Sequence, residues 1–105
     1  MLGYTMDLQV PVFTSKYSFD SSLYLFDFSN AVQPGDSIVT IASIVSNPPG
    51  LTIGVGSIVS GVGGPALAVQ SRLSSGAPGV LYTILVSITT LTGDQFARAA
   101  NLQVQ

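Results

Sequence analysis

The sequence lacks several residue types on which enzyme chemistry commonly depends. It contains no cysteine, no histidine, no tryptophan and no glutamate. Without cysteine, disulfide bonds and thiolate zinc sites are excluded. Without histidine, Ser-His-Asp and Cys-His centres and histidine-based zinc sites cannot form within this chain. Acid–base catalysis at neutral pH would have to rely on carboxylates of shifted pKa, which leaves the five aspartates.

The aspartates give little support for a catalytic or metal site. Asp20, Asp27, Asp36 and Asp94 are the candidates for the acid pair of a glycoside hydrolase, and Asp27, Asn30 and Asp36 are the candidates for a calcium site. Each aspartate lies in or beside a predicted turn or on an exposed strand face, where local hydrogen bonding is its usual role. No ordered Asp-x-Asp-x-Asp spacing is present. The sequence therefore predicts no catalytic residue, no cofactor and no metal.

Charge of either sign is scarce. Charged residues make up 8% of the chain, against about 25% in an ordinary soluble domain. None occurs from residue 37 to 71 or from 73 to 93. Such a surface is unusual for a free monomer, so we expect much of it to be covered by protein partners.

Nucleic acid and membranes are both disfavoured as partners. A net charge of −2 indicates no nucleic-acid binding, which requires a basic patch. Proline, glycine and small polar residues interrupt every apolar stretch before it reaches about 18 residues, so no membrane span is predicted. Residues 1–7 lack the basic and apolar regions of a signal peptide.

The patterns that are present are those of β-strands. From Val80 to Thr90, every second position is apolar on one face, and a Gly-containing turn at 91–94 leads into a returning strand over residues 95–104. Residues 37–46 carry apolar side chains on both faces, which predicts a central strand that is covered on both sides. Residues 56–64 are interpreted as either a weak edge strand or a mobile loop.

About seven short strands separated by Gly/Pro turns predict an all-β fold, an immunoglobulin-like antiparallel β-sandwich. Residues 23–105 are assigned to the sandwich and residues 1–22 to an N-terminal arm or edge strand. The predicted core residues are Phe26, Phe28, Leu51, Ile53, Leu67, Val69, Tyr82, Ile84, Val86 and Ile88.

The first 22 residues have two interpretations. Residues 8–13 alternate like a strand, but Pro11 cannot donate to a ladder and belongs on an edge or in an extended arm. The segment is therefore either an arm that reaches onto a neighbouring subunit or an edge strand of its own sandwich. The residues predicted to bind partners are Tyr4, Leu8, Val10, Val12, Phe13, Ile58 and Val59.

Tyr82 also has two interpretations. It follows Gly79 at the start of the penultimate predicted strand, where immunoglobulin-like sandwiches place a tyrosine corner whose hydroxyl bonds to the preceding backbone. The alternative is an ordinary core tyrosine with its hydroxyl at the rim. Neither interpretation assigns it a chemical role.

The order of the turn and core motifs resembles a known family. The motifs are Tyr24-Leu25-Phe26-Asp27-Phe28-Ser29, Pro34-Gly35-Asp36-Ser37-Ile38-Val39, Pro49-Gly50-Leu51-Thr52, Leu73-Ser74-Ser75-Gly76, Gly79, Tyr82-Thr83-Ile84 and Ile88-Thr89-Thr90-Leu91-Thr92-Gly93. Over residues 24–104 this is similar to the small phage virion proteins described as fibre–tail adaptors. The chain departs from the family pattern at Phe28, where Trp is frequent, and at Ser75-Gly76, where Gly-Gly is frequent.

The resemblance implies an immunoglobulin-like virion protein at a phage tail or head–tail junction. It implies several copies in a symmetric ring, contacts with tail, portal or fibre subunits, and no catalytic residue. A capsid decoration protein is one alternative. A glycan-binding module of a receptor-binding appendage is another, for which Tyr4, Tyr17, Tyr24 and Tyr82 are the aromatic residues able to stack on a sugar.

Overall fold

The computed structural model describes residues 12–60 and 65–105, and all the regular secondary structure of these residues is β. The strands are β1 (Ser21–Asp27), β2 (Ile38–Asn47), β3 (Leu51–Ile53), β4 (Ser57–Ser60), β5 (Ala66–Ser75), β6 (Leu81–Thr90) and β7 (Gln95–Gln103). They form two antiparallel sheets with a shared core between them. The predicted all-β sandwich is confirmed.

The first sheet is built around β5. β1 pairs with one edge of β5 in a regular register, and β3 and β4 pair with the other edge at opposite ends. Between them Gly54 stays attached to β5, because its N–H donates to the carbonyl of Arg72 over 2.8 Å and its carbonyl accepts from Ser71 Oγ over 3.0 Å. Residues 57–60 are thus an edge strand, the first of the two interpretations for this part of the chain.

The second sheet is built around β6, with β2 on one side and β7 on the other. β6 and β7 pair without interruption from Leu81 opposite Gln103 to Thr89 opposite Gln95. This is the hairpin that the two-residue periodicity predicts, joined by the turn that contains Gly93.

The core lies between the sheets and takes side chains from both. Tyr82 and Phe28 are its largest fully buried side chains. Of the residues predicted for the core, Phe26, Phe28, Leu51, Val69, Tyr82, Ile84, Val86 and Ile88 are buried, and Ile53 and Leu67 are half-buried against them. Val32, Ile38, Leu73, Ala100, Leu102 and Val104 are also buried there.

β2 differs from its prediction as a central strand covered on both faces. Among the described residues it pairs only with β6, and its Val39 and Val45 are about half exposed. Its register with β6 shifts twice, so β2 contains two bulges. Each bulge adds one residue and reverses the alternation, which directs Ile38, Ile41 and Ile44 inward at a spacing of three. Val39 and Val45 therefore lie on the outer face of the sheet.

The corner before β6 is organised by Tyr82. Its hydroxyl accepts a 2.8 Å hydrogen bond from the backbone N–H of Ala77, the interaction that defines a tyrosine corner. Gly76 has φ of +95°, and a Cβ at that position would lie 2.9 Å from Val104 Cγ2 and 3.2 Å from Tyr82 Cε2. Glycine is therefore required at position 76 by both the backbone and the packing.

Residues 12–20 lie against the sandwich. The N–H of Phe13 donates to the carbonyl of Asn101 and that of Lys16 to the carbonyl of Gln103, and the chain runs parallel to β7 there. The buried Lys16 ammonium donates to the carbonyls of Tyr17 (2.7 Å) and Ser75 (2.6 Å). This part of the chain is held by its own sandwich.

Candidate interaction surfaces

The outer face of β2, β6 and β7 carries no charged side chain, and we call it the uncharged face. β2 and β6 contain no Asp, Lys or Arg, and the only charged residue of β7, Arg98, lies at an inward-facing position opposite Val86. The register aligns Val45, Leu85 and Ala99 in an apolar row across all three strands. Small, amide and a few apolar side chains surround this row, so the face is uncharged and partly apolar.

The outer face of the first sheet has a different character. It presents Asp27 and Arg72 together with the half-exposed side chains of Leu23 and Leu25. The Arg72 guanidinium donates to the carbonyl of Ser21 over 3.1 Å. The two outer faces are therefore chemically distinct.

The predicted partner-binding residues at the start of the chain fall in three places. Tyr4, Leu8 and Val10 lie outside the described residues. Val12 is 72% exposed on the outer side of β7. Phe13 packs inward, against the core aromatic rings.

The two predicted partner-binding residues of β4 point in opposite directions. Ile58 packs against the core, and Val59 lies on the outer side. There Val59 lines a mostly apolar pocket of 320 Å³ together with Leu25 and Leu67. Strand alternation separates the two residues, so only Val59 is available to a partner.

Sequence reasoning missed an exposed aromatic turn. Phe19 is 96% exposed and Tyr17 63% exposed. The turn is fixed by a backbone bond from Asp20 N–H to the Tyr17 carbonyl, by the Asp20 carboxylate on the Tyr17 N–H, and by Ser18 Oγ on the carbonyl of Gly76. The signal in the sequence was that the other residues of 18–22 are polar. They give the two aromatic side chains no apolar neighbour in the chain to pack against.

Asp36 links the turn before β2 to the turn after β6. Its side chain is 3% exposed, and its carboxylate accepts from Thr92 Oγ1 (2.7 Å), Thr92 N–H (3.2 Å) and Ser37 N–H (2.8 Å). Burial alone would raise the pKa of Asp36, but hydrogen bonds from Thr92, Thr90 and the backbone N–H groups outweigh it and lower the pKa to about 2. Asp36 therefore serves as a structural carboxylate.

We expect the free energy of unfolding to fall as the pH is lowered from about 4 to about 2. The pKa of Asp36 is lower in the folded chain than the ordinary value of 3.8, so its contribution is complete above the ordinary value and is lost as the pH approaches the folded value. Denaturant melts across this range should show a weaker pH dependence for Asp36→Asn than for the unmodified chain. Asp94→Asn, which leaves the Asp36 contacts in place, is the control, and equal slopes for all three proteins would contradict this role.

The geometry offers no support for the hydrolase or calcium hypotheses. Asp27 accepts from the N–H of Ser29 and Asp36 is engaged by Thr92. Across residues 12–60 and 65–105, no three acidic side chains converge as a metal site would need. Over the same residues, no helix is long and apolar enough to cross a membrane.

A comparison with protein families gives a decisive match. Residues 16–103 match the family described as podophage GP4 fiber-tail adaptor protein gp77. The chain belongs to this family. The fiber-tail adaptor is a virion component at the phage tail, and its family is structural and not a class of enzymes. A search of curated proteins finds no match.

The family match also bears on the extent of the adaptor. It begins at residue 16, whereas the sequence resemblance begins at residue 24. The difference corresponds to the segment around Lys16 and Ser18 that is hydrogen-bonded to the sandwich.

Proposed function

We propose that the adaptor joins tail or portal subunits to the tail fibres or to the next tail ring, in several copies around a symmetric connector. It does so by binding and catalyses no reaction. Family membership supports the adaptor role. The uncharged face is the observation from which we assign a contact surface. The N-terminal arm or edge strand that the sequence places at residues 1–22 stays a proposal: its residues 12–20 lie against the sandwich, and its residues 1–11 lie outside the described residues.

The uncharged face is suited to burial against another virion protein. Burying a charge at an interface has a large desolvation cost unless it is paired, and interface cores are depleted of charged residues. Val45 and Leu85 supply apolar contact area at the centre of the face, and the surrounding Ser, Thr, Asn and Gln side chains can form hydrogen bonds at its rim. We therefore propose that this face docks on a tail subunit.

The two alternative functions receive less support. The tail location of the family disfavours a capsid decoration protein. Of the four tyrosines named for a glycan-binding module, Tyr82 is buried and Tyr24 packs against Phe13, with ring centroids 4.8 Å apart. Tyr4 lies outside the described residues, which leaves Tyr17, 63% exposed, as the one described tyrosine that could stack on a sugar. Neither alternative is pursued further.

Leu85→Lys is expected to reduce incorporation of the adaptor into tails at least tenfold while leaving the fold intact. Leu85 is 40% exposed on the uncharged face, so a lysine head group reaches solvent in the free protein and becomes buried without a partner at the interface, which costs about 3–5 kcal/mol. The measurement is adaptor copies per particle after infection with complementing plasmids.

Leu23→Lys is the matched control for this prediction. Leu23 is 53% exposed on the outer face of the first sheet, beside Arg72 and on the face that also carries Asp27. We expect its incorporation to be normal. Normal incorporation of Leu85→Lys, or equal loss for both variants, would show that the uncharged face is not the tail-docking surface.

A further inference from the structure

Among the described residues, β1 has the least protected strand edge of the sandwich. Within residues 12–60 and 65–105, β1 pairs only with β5, and its register contains no shift. By contrast, β3 and β4 are short, the register of β2 shifts twice, and the outer edge of β7 is bridged by Val12 and Lys16. Short strands, bulges and covering segments are the usual protections of a sheet edge. In the described part of the chain β1 has none of them, and it contains neither proline nor lysine.

The backbone of β1 directs the hydrogen-bonding groups of every second residue to this edge. The N–H of Phe28 donates to the carbonyl of Leu67 over 2.8 Å, so every second residue back along β1 bonds to β5 in the same way. The intervening Leu23, Leu25 and Asp27 point their N–H groups away from β5. Within the described residues, these three N–H groups have no acceptor.

The side chains along this edge are apolar in the middle and charged at the ends. Leu23 and Leu25 are 53% and 54% exposed on the outer face. Asp27 is exposed at one end of β1. Arg72 lies opposite Leu23 on β5 and extends its guanidinium to the other end of β1, where it donates to Ser21 Oγ over 3.3 Å. The edge therefore has an acidic end and a basic end with two leucines between them.

We propose that β1 pairs with β1 of a second copy of this chain, antiparallel and about a two-fold axis that passes beside Tyr24. In this register Leu23 lies opposite Leu25 of the second copy. Ser21 likewise lies opposite Asp27 of the second copy. Residues whose N–H groups point outward then face one another, as a ladder of hydrogen bonds requires. The first sheets of the two copies become one continuous sheet.

Charge complementarity favours a second copy in this register. Opposite residues of a hydrogen-bonded antiparallel pair have Cα atoms about 5.5 Å apart, so Asp27 of the second copy comes beside Ser21, where the Arg72 guanidinium already lies. The contact occurs twice, once on each side of the axis. One oxygen of Asp27 accepts from the N–H of Ser29 over 2.9 Å, which leaves the other for Arg72. A shift of register moves the two charges apart.

Apolar contacts fill the centre of the same interface. The two-fold axis brings Leu23 and Leu25 of both copies together on the outer face, where each is about half exposed in a single chain. Removing this apolar area from water favours association. On the inner face, Tyr24 already packs against Phe13, with ring centroids 4.8 Å apart. The added strand therefore joins an edge whose inward aromatic side chain is already packed.

The pairing is compatible with docking on the tail, but it does not rest on the proposed function. A two-fold axis perpendicular to the sheet keeps the outer faces of both first sheets on one side of the dimer. The two uncharged faces belong to the second sheets and lie on the opposite side. Because each copy keeps its own docking surface, Leu23→Lys remains the control for docking whether or not it weakens the dimer.

Charge reversal tests the interface in the full-length protein by sedimentation velocity. We expect the unmodified chain to form a dimer as its concentration rises. Asp27→Arg and Arg72→Asp each place like charges together at both ends of the paired strands, which is destabilising, so each variant alone should dimerise at least about tenfold more weakly. In an equimolar mixture of the two variants both ends regain opposite charges, and dimerisation should return.

The mixture distinguishes a loss of pairing from a loss of folding, because an unfolded chain is not rescued by the other variant. An unmodified chain that stays monomeric up to its solubility limit would overturn the pairing, and so would a mixture that dimerises no better than each variant alone. Leu85→Lys changes the uncharged face only and should dimerise normally. If it loses the dimer, the copies associate through the uncharged face and not through β1.

Cysteine cross-linking tests the register in a chain that has no cysteine of its own. Leu23→Cys and Leu25→Cys, prepared separately and then mixed, should form a disulfide between two chains, since Cα atoms about 5.5 Å apart are within the range that a disulfide spans. Each variant alone should cross-link poorly, because its two cysteines are diagonal neighbours about 7–8 Å apart. Equal cross-linking in the mixture and in either variant alone would contradict the register.

Particle incorporation separates this inference from the proposed function. If the dimer forms through β1 and Leu85→Lys is incorporated normally, the pairing stands and the docking face is wrong. If Leu85→Lys blocks incorporation and the unmodified chain is a monomer, the docking face stands and the pairing is wrong.

Discussion

Tyr82→Ala is expected to lower the free energy of unfolding by about 3–5 kcal/mol, the usual cost of removing a buried aromatic side chain. Tyr82 is 1% exposed and is among the largest fully buried side chains of the core. The substitution also removes the hydroxyl that accepts from the N–H of Ala77, which leaves a backbone donor at the corner unpaired. Equilibrium denaturation in urea measures the change directly.

Tyr82→Phe separates the ring from the hydroxyl. It keeps the packed ring and removes only the acceptor for Ala77, so we expect a loss of about 1–3 kcal/mol. A change near zero for Tyr82→Ala would remove Tyr82 from the core. Equal changes for the two variants would assign the whole effect to the hydrogen bond.

Gly76→Ala is expected to destabilise the sandwich by about 4 kcal/mol, because a positive φ and overpacking each cost about 1–3 kcal/mol. With φ of +95°, Gly76 occupies the left-handed region, and an added Cβ would approach Val104 Cγ2 to 2.9 Å. Tyr82 and Leu51 also lie within 3.3 Å of that position, so core side chains would have to move to accommodate the methyl group.

Gly79→Ala is the matched control in the same corner. Gly79 has φ of +85°, but a Cβ added there would meet no heavy atom within 4 Å. Only the backbone strain applies, so we expect a loss of about 1–2 kcal/mol. The difference between the two variants in chemical denaturation measures the packing contribution, and equal losses would mean that the core accommodates the methyl group.

The hairpin of β6 and β7 was predictable because its pairing is regular. With no bulge between Leu81 and Thr89, the two-residue period of the sequence carries directly into the structure, and Tyr82, Ile84, Val86 and Ile88 are all buried. The same rule was misleading for β2. Two bulges there change the parity, and the sequence does not show where they occur.

The candidate surfaces were only partly predictable. Charge-free stretches are visible in the sequence, but β2 and β6 are separated along the chain, and the sheet pairing brings them together with β7 as one uncharged face. Of the residues predicted to bind partners, Val59 lies on the outer side of the first sheet, whereas Ile58 and Phe13 pack against the core. Phe19 was missed, because its exposure depends on a turn held by contacts from Gly76.

By itself, the sequence determined that the protein is built of strands and turns, because this follows from local alternation. It also excluded histidine and cysteine chemistry, because this follows from composition. Tertiary structure alone decided which strands share a sheet, where β2 bulges, and that residues 12–16 lie along β7. The physical reason is that strand pairing joins residues far apart in the chain, and the energy that selects a register is that of the contacts between them.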